Sequence, residues 1–415
     1  MAIKPLILLF AWGFMAVPFS ACIAADSLVL SSPNDDSHSE VAKPVFFWRA
    51  NQEAKRYEVF IDNAKGGDVP AAPGPVMNFA PIEALSVGIH KWHVKAMLST
   101  GEELSSPVFT LTIDHDAGWP EWAIGPFVRY GSNPLFGPQG KDWESVNAFN
   151  PGVIFDKGRY RMLYRAQGRA WPSRIGYAES IDGVSFTRNP DPLINMTEPF
   201  EKNYGLEDAR FFKYQDTYYA FYTGNNPGGG IALCEATSAN GTDWTKLGVI
   251  AGHTKNGAMI CDPNGMPIKI NGKFSMYIGN SKVNVCYSDD LVHWGPPSPI
   301  NLNFPAGWVG PYEPCIAIAN HSSSRPDDIV LFIAGTLNGK GKWFYGISEL
   351  LFLKKDLTTK ADQLGDCIMK PIESYEDGQN KKCLWMHCLI QHGRQWMMYY
   401  GAGDRYVGLA TAPVK

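Results

Sequence analysis

Gly272-Lys273-Phe274-Ser275-Met276-Tyr277, then Val283-Asn284-Val285-Cys286-Tyr287, then Asp289-Asp290-Leu291-Val292-His293-Trp294, is the stretch that decides the fold. An aromatic strand leads through a bend to a second strand, and an acidic turn closed by an aromatic ends the unit. The period-2 pattern bounded by turn residues reads as antiparallel β-structure. The same order appears upstream in Arg159-Tyr160-Arg161-Met162-Leu163-Tyr164, Arg174-Ile175-Gly176-Tyr177-Ala178 and Ser180-Ile181-Asp182-Gly183-Val184-Ser185-Phe186. It appears again in Tyr218-Tyr219-Ala220-Phe221-Tyr222, Ile231-Ala232-Leu233-Cys234 and Asn240-Gly241-Thr242-Asp243-Trp244. A looser copy runs through Ile329–Ile333 and Trp343–Ile347, and a fifth through Gln395–Tyr400 and Tyr406–Ala410. One such sheet cannot bury both faces, so radially stacked copies are expected. Residues 120–415 therefore read as a five-bladed β-propeller.

Upstream, Phe46-Phe47-Trp48, Tyr57–Ile61, His90–Val94 and Val108–Ile113 alternate with Gly- and Pro-rich turns. This spacing predicts a β-sandwich over residues 27–115, similar to fibronectin type III modules. The expected fold is all-β, a sandwich followed by a propeller.

Ahead of the sandwich, Lys4 precedes an apolar run from Leu6 to Val17 that is too short to span a bilayer. Residues 1–25 read as a signal peptide cut near Ala24 or Ala25, so a periplasmic or secreted protein is expected. The alternative reading takes Phe19-Ser20-Ala21-Cys22 as a lipobox and Cys22 as a lipid anchor. Downstream cysteines number seven, without zinc-site spacing, and no metal or other cofactor is expected. Most read as buried thiols, and Cys367 with Cys383 or Cys388 is the candidate disulfide in an oxidising compartment. A net charge of −4 without a basic run excludes nucleic acid as the main partner. Oligomeric state is not legible.

Polar groups recur near the start of the repeats. They are Asn147–Gly152, Arg165 after the first aromatic strand, Glu207-Asp208-Ala209-Arg210, Glu313 between Tyr312 and Pro314, and Asp404 after the last aromatic strand. If each lies at an equivalent place in its blade, all converge on one funnel. Carboxylates, Arg and Asn among many aromatic rings suit a sugar, whose hydroxyls take paired polar partners and whose faces stack on rings. His387 and His392 read as structural.

Phe149-Asn150-Pro151-Gly152-Val153-Ile154, Leu163-Tyr164-Arg165-Ala166, Gly205-Leu206-Glu207-Asp208-Ala209-Arg210 and Tyr400–Ala410 resemble glycoside hydrolase family 130. The resemblance runs from about Phe127 onward and departs at Ala209, where the family carries Pro. It implies a five-bladed propeller acting on mannosides, either β-mannosidase or mannoside phosphorylase. Carried over, Asp208 is the general acid, its proton passing through a hydroxyl of the mannosyl unit. Asn150, Arg165 and Asp404 hold that unit, and Arg210 orients Asp208 or touches the ligand.

Family phosphorylases carry a His-Arg pair after the third aromatic strand, where this chain has Tyr277-Ile278-Gly279-Asn280. His253 and Lys255 remain nearby. An inverting hydrolase needs instead a carboxylate base roughly 6.5–9.5 Å from the acid. Glu313 is the first candidate for it and Glu349 the second. The expectation is thus an exported inverting β-mannosidase acting on manno-oligosaccharides. A phosphorylase and a non-catalytic glycan-binding propeller are its alternatives.

Overall fold

The computed structural model describes residues 28–414, apart from 34, 40–41, 73–75, 114–119, 141, 170–171, 203, 226–229, 305–307, 340–341, 365–366 and 379–381. The expected signal peptide and the Cys22 anchor lie outside the described residues. The fold is all-β.

Alternating apolar residues build the N-terminal unit. Ala54–Ile61 and Gly88–Leu98 each bury every second side chain, which puts Tyr57, Val59, Trp92 and Val94 on one face. They belong to a six-stranded sheet. A three-stranded sheet of Leu30–Ser32, Phe46–Arg49 and Val76–Phe79 supplies Phe46, Trp48 and Met77 to the same core. The opposite side of Phe46–Arg49 faces the rest of the molecule. Phe47 sets its ring edge-on to Tyr130 at 5.2 Å, and Gln395 Nε2 donates to Asn78 Oδ1 at 2.7 Å.

From residue 128 onward, strand pairing groups into five antiparallel units of four. The first contains Asn147–Asp156, Arg159–Gln167, Arg174–Ser180 and Thr187–Arg188. The second contains Gly205–Tyr214, Thr217–Asn225, Ile231–Ser238 and Thr245–Gly252. The third is Gly257–Cys261, Lys273–Gly279, Val283–Ser288 and Ser298–Pro299. The fourth is Trp308–Ala319, Asp328–Gly339, Lys342–Leu353 and Asp362–Gln363. The fifth is Lys382–His392, Gln395–Ala402 and Tyr406–Pro413, completed by Val128–Arg129 from the far end of the chain.

The repeating turn seen in the sequence has a physical cause. Ser180 Oγ accepts the Gly183 N–H, and Asp182 Oδ1 accepts those of Val184 and Ser185. Ser238 with Asn240, and Ser288 with Asp290, make the same bonds at the same offsets. In the fourth unit Asp356 alone accepts from Thr358 and Thr359, which explains the looser pattern there. Each side chain satisfies turn amides that would otherwise lack partners.

Neighbouring units pack through their first strands. A Cβ on Gly152 would sit 2.5 Å from the Ala209 carbonyl oxygen, so only glycine permits that approach. Between the second and third units lies Glu235, 1% exposed. Burial pushes its carboxyl up to about 8, against the weaker pull of a hydrogen bond from Trp294. The folded value is raised, so the unfolded chain ionises first. Stability therefore falls as pH climbs from the ordinary 4.5 towards 8. Glu235→Gln is expected to match wild type near pH 4.5 and to exceed it at pH 7 by on the order of 3 kcal/mol. Thermal melts at the two pH values check this; equal melts of the two proteins at pH 7 would refute it.

The seven thiols are free and the expected bridge from Cys367 is not formed. Cys383 lies against Asp404 at 3.8 Å, and Cys388 donates to the Val153 carbonyl at 2.9 Å. Both partners belong to the first strand of the fifth unit, whereas Cys367 packs near Gly346 of the fourth.

Candidate active site

The polar motifs that sequence reading set ahead of the repeats lie within the first strands themselves. At matching depths four of these strands break register, between Phe149 and Gly152, Glu207 and Arg210, Pro314 and Ile316, and Met386 and Cys388. Such bulges re-aim a side chain out of the alternating pattern. Asn150 and Asp208 occupy two of them in the left-handed region, at φ 50° and 56°. Asn256, one residue before the third unit's first strand, has φ 58°. A non-glycine residue is held there only where its surroundings fix it.

These residues assemble a buried network. Asp208, 5% exposed, accepts at one carboxylate oxygen from Asn150 Nδ2 at 2.7 Å and from Arg165 Nη1 at 3.3 Å. Arg165 Nη2 reaches Glu207 at 2.8 Å, and the guanidinium stacks 4.9 Å from the Phe149 ring. In a second cluster Lys255 Nζ pairs with Glu313 Oε2 at 3.0 Å, and Asn256 Nδ2 donates to the same oxygen. Lys255 also lies 5.3 Å from the centre of the Trp385 ring. Glu313 is 2% exposed.

The two clusters feel each other. Burial alone would raise the Asp208 carboxyl, but Arg165, Lys255 and the Asn150 bond hold it well below the usual carboxylate range. Glu313 goes the other way. Burial outweighs its bonds to Lys255 and Asn256, and the Asp208 charge adds to the rise. For Lys255, burial opposes the charge while Glu313, Asp208 and Glu207 more than offset it. In the empty site Asp208 is ionised and Glu313 is the easier carboxyl to protonate.

Asp404 lies in the turn after Gln395–Ala402, at φ 52°. Its surface is open to solvent, although protein crowds the carboxyl on most sides. That crowding and Asp208 push its carboxyl up, against the pull of Arg165. Asn150, Arg165, Asp208, Glu313 and Asp404 therefore come together. Their places are not equivalent, because Arg165 belongs to a second strand and Asp404 to a turn.

Glu349 does not join them. It sits on the third strand of the fourth unit, and its Oε2 accepts the Ile124 backbone N–H at 2.9 Å. It anchors the Trp122–Ile124 stretch into a core shared with Ile347 and Leu351. A third strand lies too far out in its unit to reach Asp208.

His387, expected to be structural, fills the bulge of the fifth unit and touches Arg210 Nη1. Lys255 counts for more than its place beside His253 suggests, and Trp385 carries no sequence signal of its own. Alignment of the five first strands, rather than the aromatic second strands, marks Trp385 and His387, with Lys255 two residues ahead of its strand. His392 packs edge-on against Phe155 and tilted against Tyr160, a structural place. His253 is exposed beside Asn280 and Lys282, away from Asp208. A cleft of about 770 Å³ between the N-terminal unit and the first four-strand unit includes Arg49 and Tyr130 but no carboxylate, so the chemistry lies elsewhere.

A buried carboxylate held by an amide and a guanidinium, faced by a lysine–carboxylate pair beside a tryptophan, suits a polyhydroxylated ligand. The chain belongs to glycoside hydrolase family 130. The family model, described as beta-1,4-mannooligosaccharide phosphorylase, matches residues 133–415. A 1,2-beta-oligomannan phosphorylase of Thermoanaerobacter sp. (strain X514) is 33% identical over 43% of this chain, a match spanning 62% of that relative. A beta-1,2-mannobiose phosphorylase of the same organism is 26% identical over 68% of this chain and 96% of its own length. Among solved structures, one reported with family 130 glycoside hydrolases that target beta-1,2 mannosidic linkages in Candida mannan is 27% identical. It covers 72% of this chain and 98% of that chain, with TM-score 0.64. A glycosyl hydrolase from Bacteroides ovatus is 28% identical over 72% of this chain and 97% of its own, also at 0.64.

Proposed function

We propose that the protein cleaves β-linked mannosides by phosphorolysis, releasing mannose 1-phosphate. The five four-strand units are read as propeller blades and the N-terminal unit as a fibronectin III-like sandwich. The observation that carries the proposal is Asp208, held by Asn150 and Arg165 and faced by the buried cation Lys255. The two curated relatives, both phosphorylases, support phosphate as acceptor. The sequence expectation of hydrolysis rested on the missing His-Arg pair, and Lys255 is a buried positive charge that can take its place.

In this reading Asn150, Arg165 and Asp404 bind the mannosyl hydroxyls and Trp385 offers a ring face. Phosphate enters beside Lys255 and its oxygen attacks the anomeric carbon. The glycosidic bond breaks on the opposite face, and its oxygen takes a proton from Asp208. The Asp208 carboxyl is held low, so its proton is brought by dihydrogen phosphate, which gives it up to Asp208 and attacks as hydrogen phosphate. The phosphate charge cancels the field of Lys255 and raises Asp208 as it binds. Glu313, already pushed up, takes a proton from solvent as the phosphate charge arrives, and this releases Lys255 to the phosphate.

Hydrolysis is the second reading, favoured by one contact. Glu313 already occupies Lys255 at 3.0 Å, and an ionised Glu313 could activate water there. Incubation with manno-oligosaccharides, with and without inorganic phosphate, separates the two. Mannose 1-phosphate formed only with phosphate is the expected result. Free mannose at an equal rate in phosphate-free buffer would overturn phosphorolysis. We also read residues 1–25 as an export signal. Sequencing the N-terminus of the protein recovered from the cell envelope tests this, and a chain starting at Met1 would refute it.

A further inference from the structure

Arg210, expected to orient Asp208 or touch the ligand, makes no hydrogen bond to Asp208 and turns instead to Met386 and His387. It is 5% exposed, and its Nη1 faces the Met386 carbonyl at 3.4 Å and His387 Nδ1. Its Nε and Nη2 meet no protein acceptor, and neither does His387 Nε2. Arg210 and His387 line a cavity of about 30 Å³ to which the first strands of all five units contribute, through Val153, Phe212, Met259, Cys315 and Leu389 among others.

The tautomer follows from the contact. Arg210 can only donate, so His387 Nδ1 accepts and the ring proton sits on Nε2. Burial and the Arg210 charge keep His387 neutral. Three N–H groups are thus left without a protein acceptor around one small space. No carboxylate forms an ion pair with Arg210 among the described residues; Asp208 and Glu313 act on it only at longer range. The neighbouring thiols supply no charge, since burial pushes Cys315 and Cys388 up to about 12. A buried cation without a counter-charge is costly. A space of this size takes one water or one monatomic ion and excludes phosphate or a sugar. Donors alone, with a full positive charge, select an anion.

We propose that Arg210 and His387 hold a single chloride-sized anion at the centre of the ring, separate from the phosphate and mannoside positions. The proposal does not depend on the reaction assigned to Asp208. Two measurements on the full chain test it. Crystals grown in sodium bromide are expected to show one anomalous peak in contact with Arg210 Nη2 and His387 Nε2. Melting temperature at fixed ionic strength is expected to rise by a few degrees as chloride replaces gluconate, and to saturate. Arg210→Met should abolish both effects. Absence of the bromide peak from wild-type crystals overturns the proposal even if the variant fails to fold, and so does a melting temperature indifferent to the anion.

Discussion

Asp208→Asn is expected to lower kcat on natural mannosides by roughly 10²–10⁴-fold, the usual scale for a lost general acid. The substitution keeps the size of the side chain and an oxygen for Asn150 and Arg165, while Glu207 still pairs with Arg165 at 2.8 Å. The fold should hold, and a melt close to wild type would confirm it. The loss should shrink on an aryl mannoside with an acidic leaving group, because that group departs without a proton. An equal loss on both substrates would assign Asp208 to binding instead. Unchanged turnover would remove it from the mechanism. Tight mannoside binding by the wild type, with no turnover on any substrate, would make the protein a glycan-binding module.

Lys255→Met is expected to raise the KM for phosphate by roughly 10²-fold, since a charge-assisted contact to an anion in a buried site is worth about 3 kcal/mol. Met keeps the apolar stem against Trp385. Glu313 loses its cation and its carboxyl rises further, which favours the neutral form and limits the damage to stability. Under hydrolysis the same change works differently. A protonated Glu313 cannot activate water, so kcat would fall and phosphate would be irrelevant. Steady-state kinetics at several phosphate concentrations distinguish a KM effect from a kcat effect.

The repeat was legible because its turns are chemical. Ser180 with Asp182, Ser238 with Asn240 and Ser288 with Asp290 are read directly from side-chain type and offset. The site was legible where a motif carries an unusual residue pair, as at Glu207-Asp208 and Asn150-Pro151. It was hidden where position alone decides. Glu313 and Glu349 look alike in sequence, each a lone glutamate in an apolar run. Only the strand each belongs to separates them, the first of its unit for Glu313 and the third for Glu349. His387 was hidden for the converse reason. A bulge at Met386–Cys388 turns it into the ring, and a bulge leaves no periodic signature in an 11-residue apolar strand. The short strand Val128–Arg129 is also too small to announce itself, although it completes a sheet.

That strand has a consequence for how the chain reaches its native state. Val128 pairs with Thr411 and Arg129 with Ala410, so the seam joins one of the earliest segments of this region to one of the last. Closing so long a loop is entropically costly and slow. During synthesis the first four units emerge with an unpaired edge waiting for Tyr406–Pro413, and an unpaired edge invites association with other chains. Removal of only the closing segment should therefore affect solubility more than its length suggests. Nascent chains would remain dependent on protection from neighbours until Tyr406–Pro413 has left the ribosome.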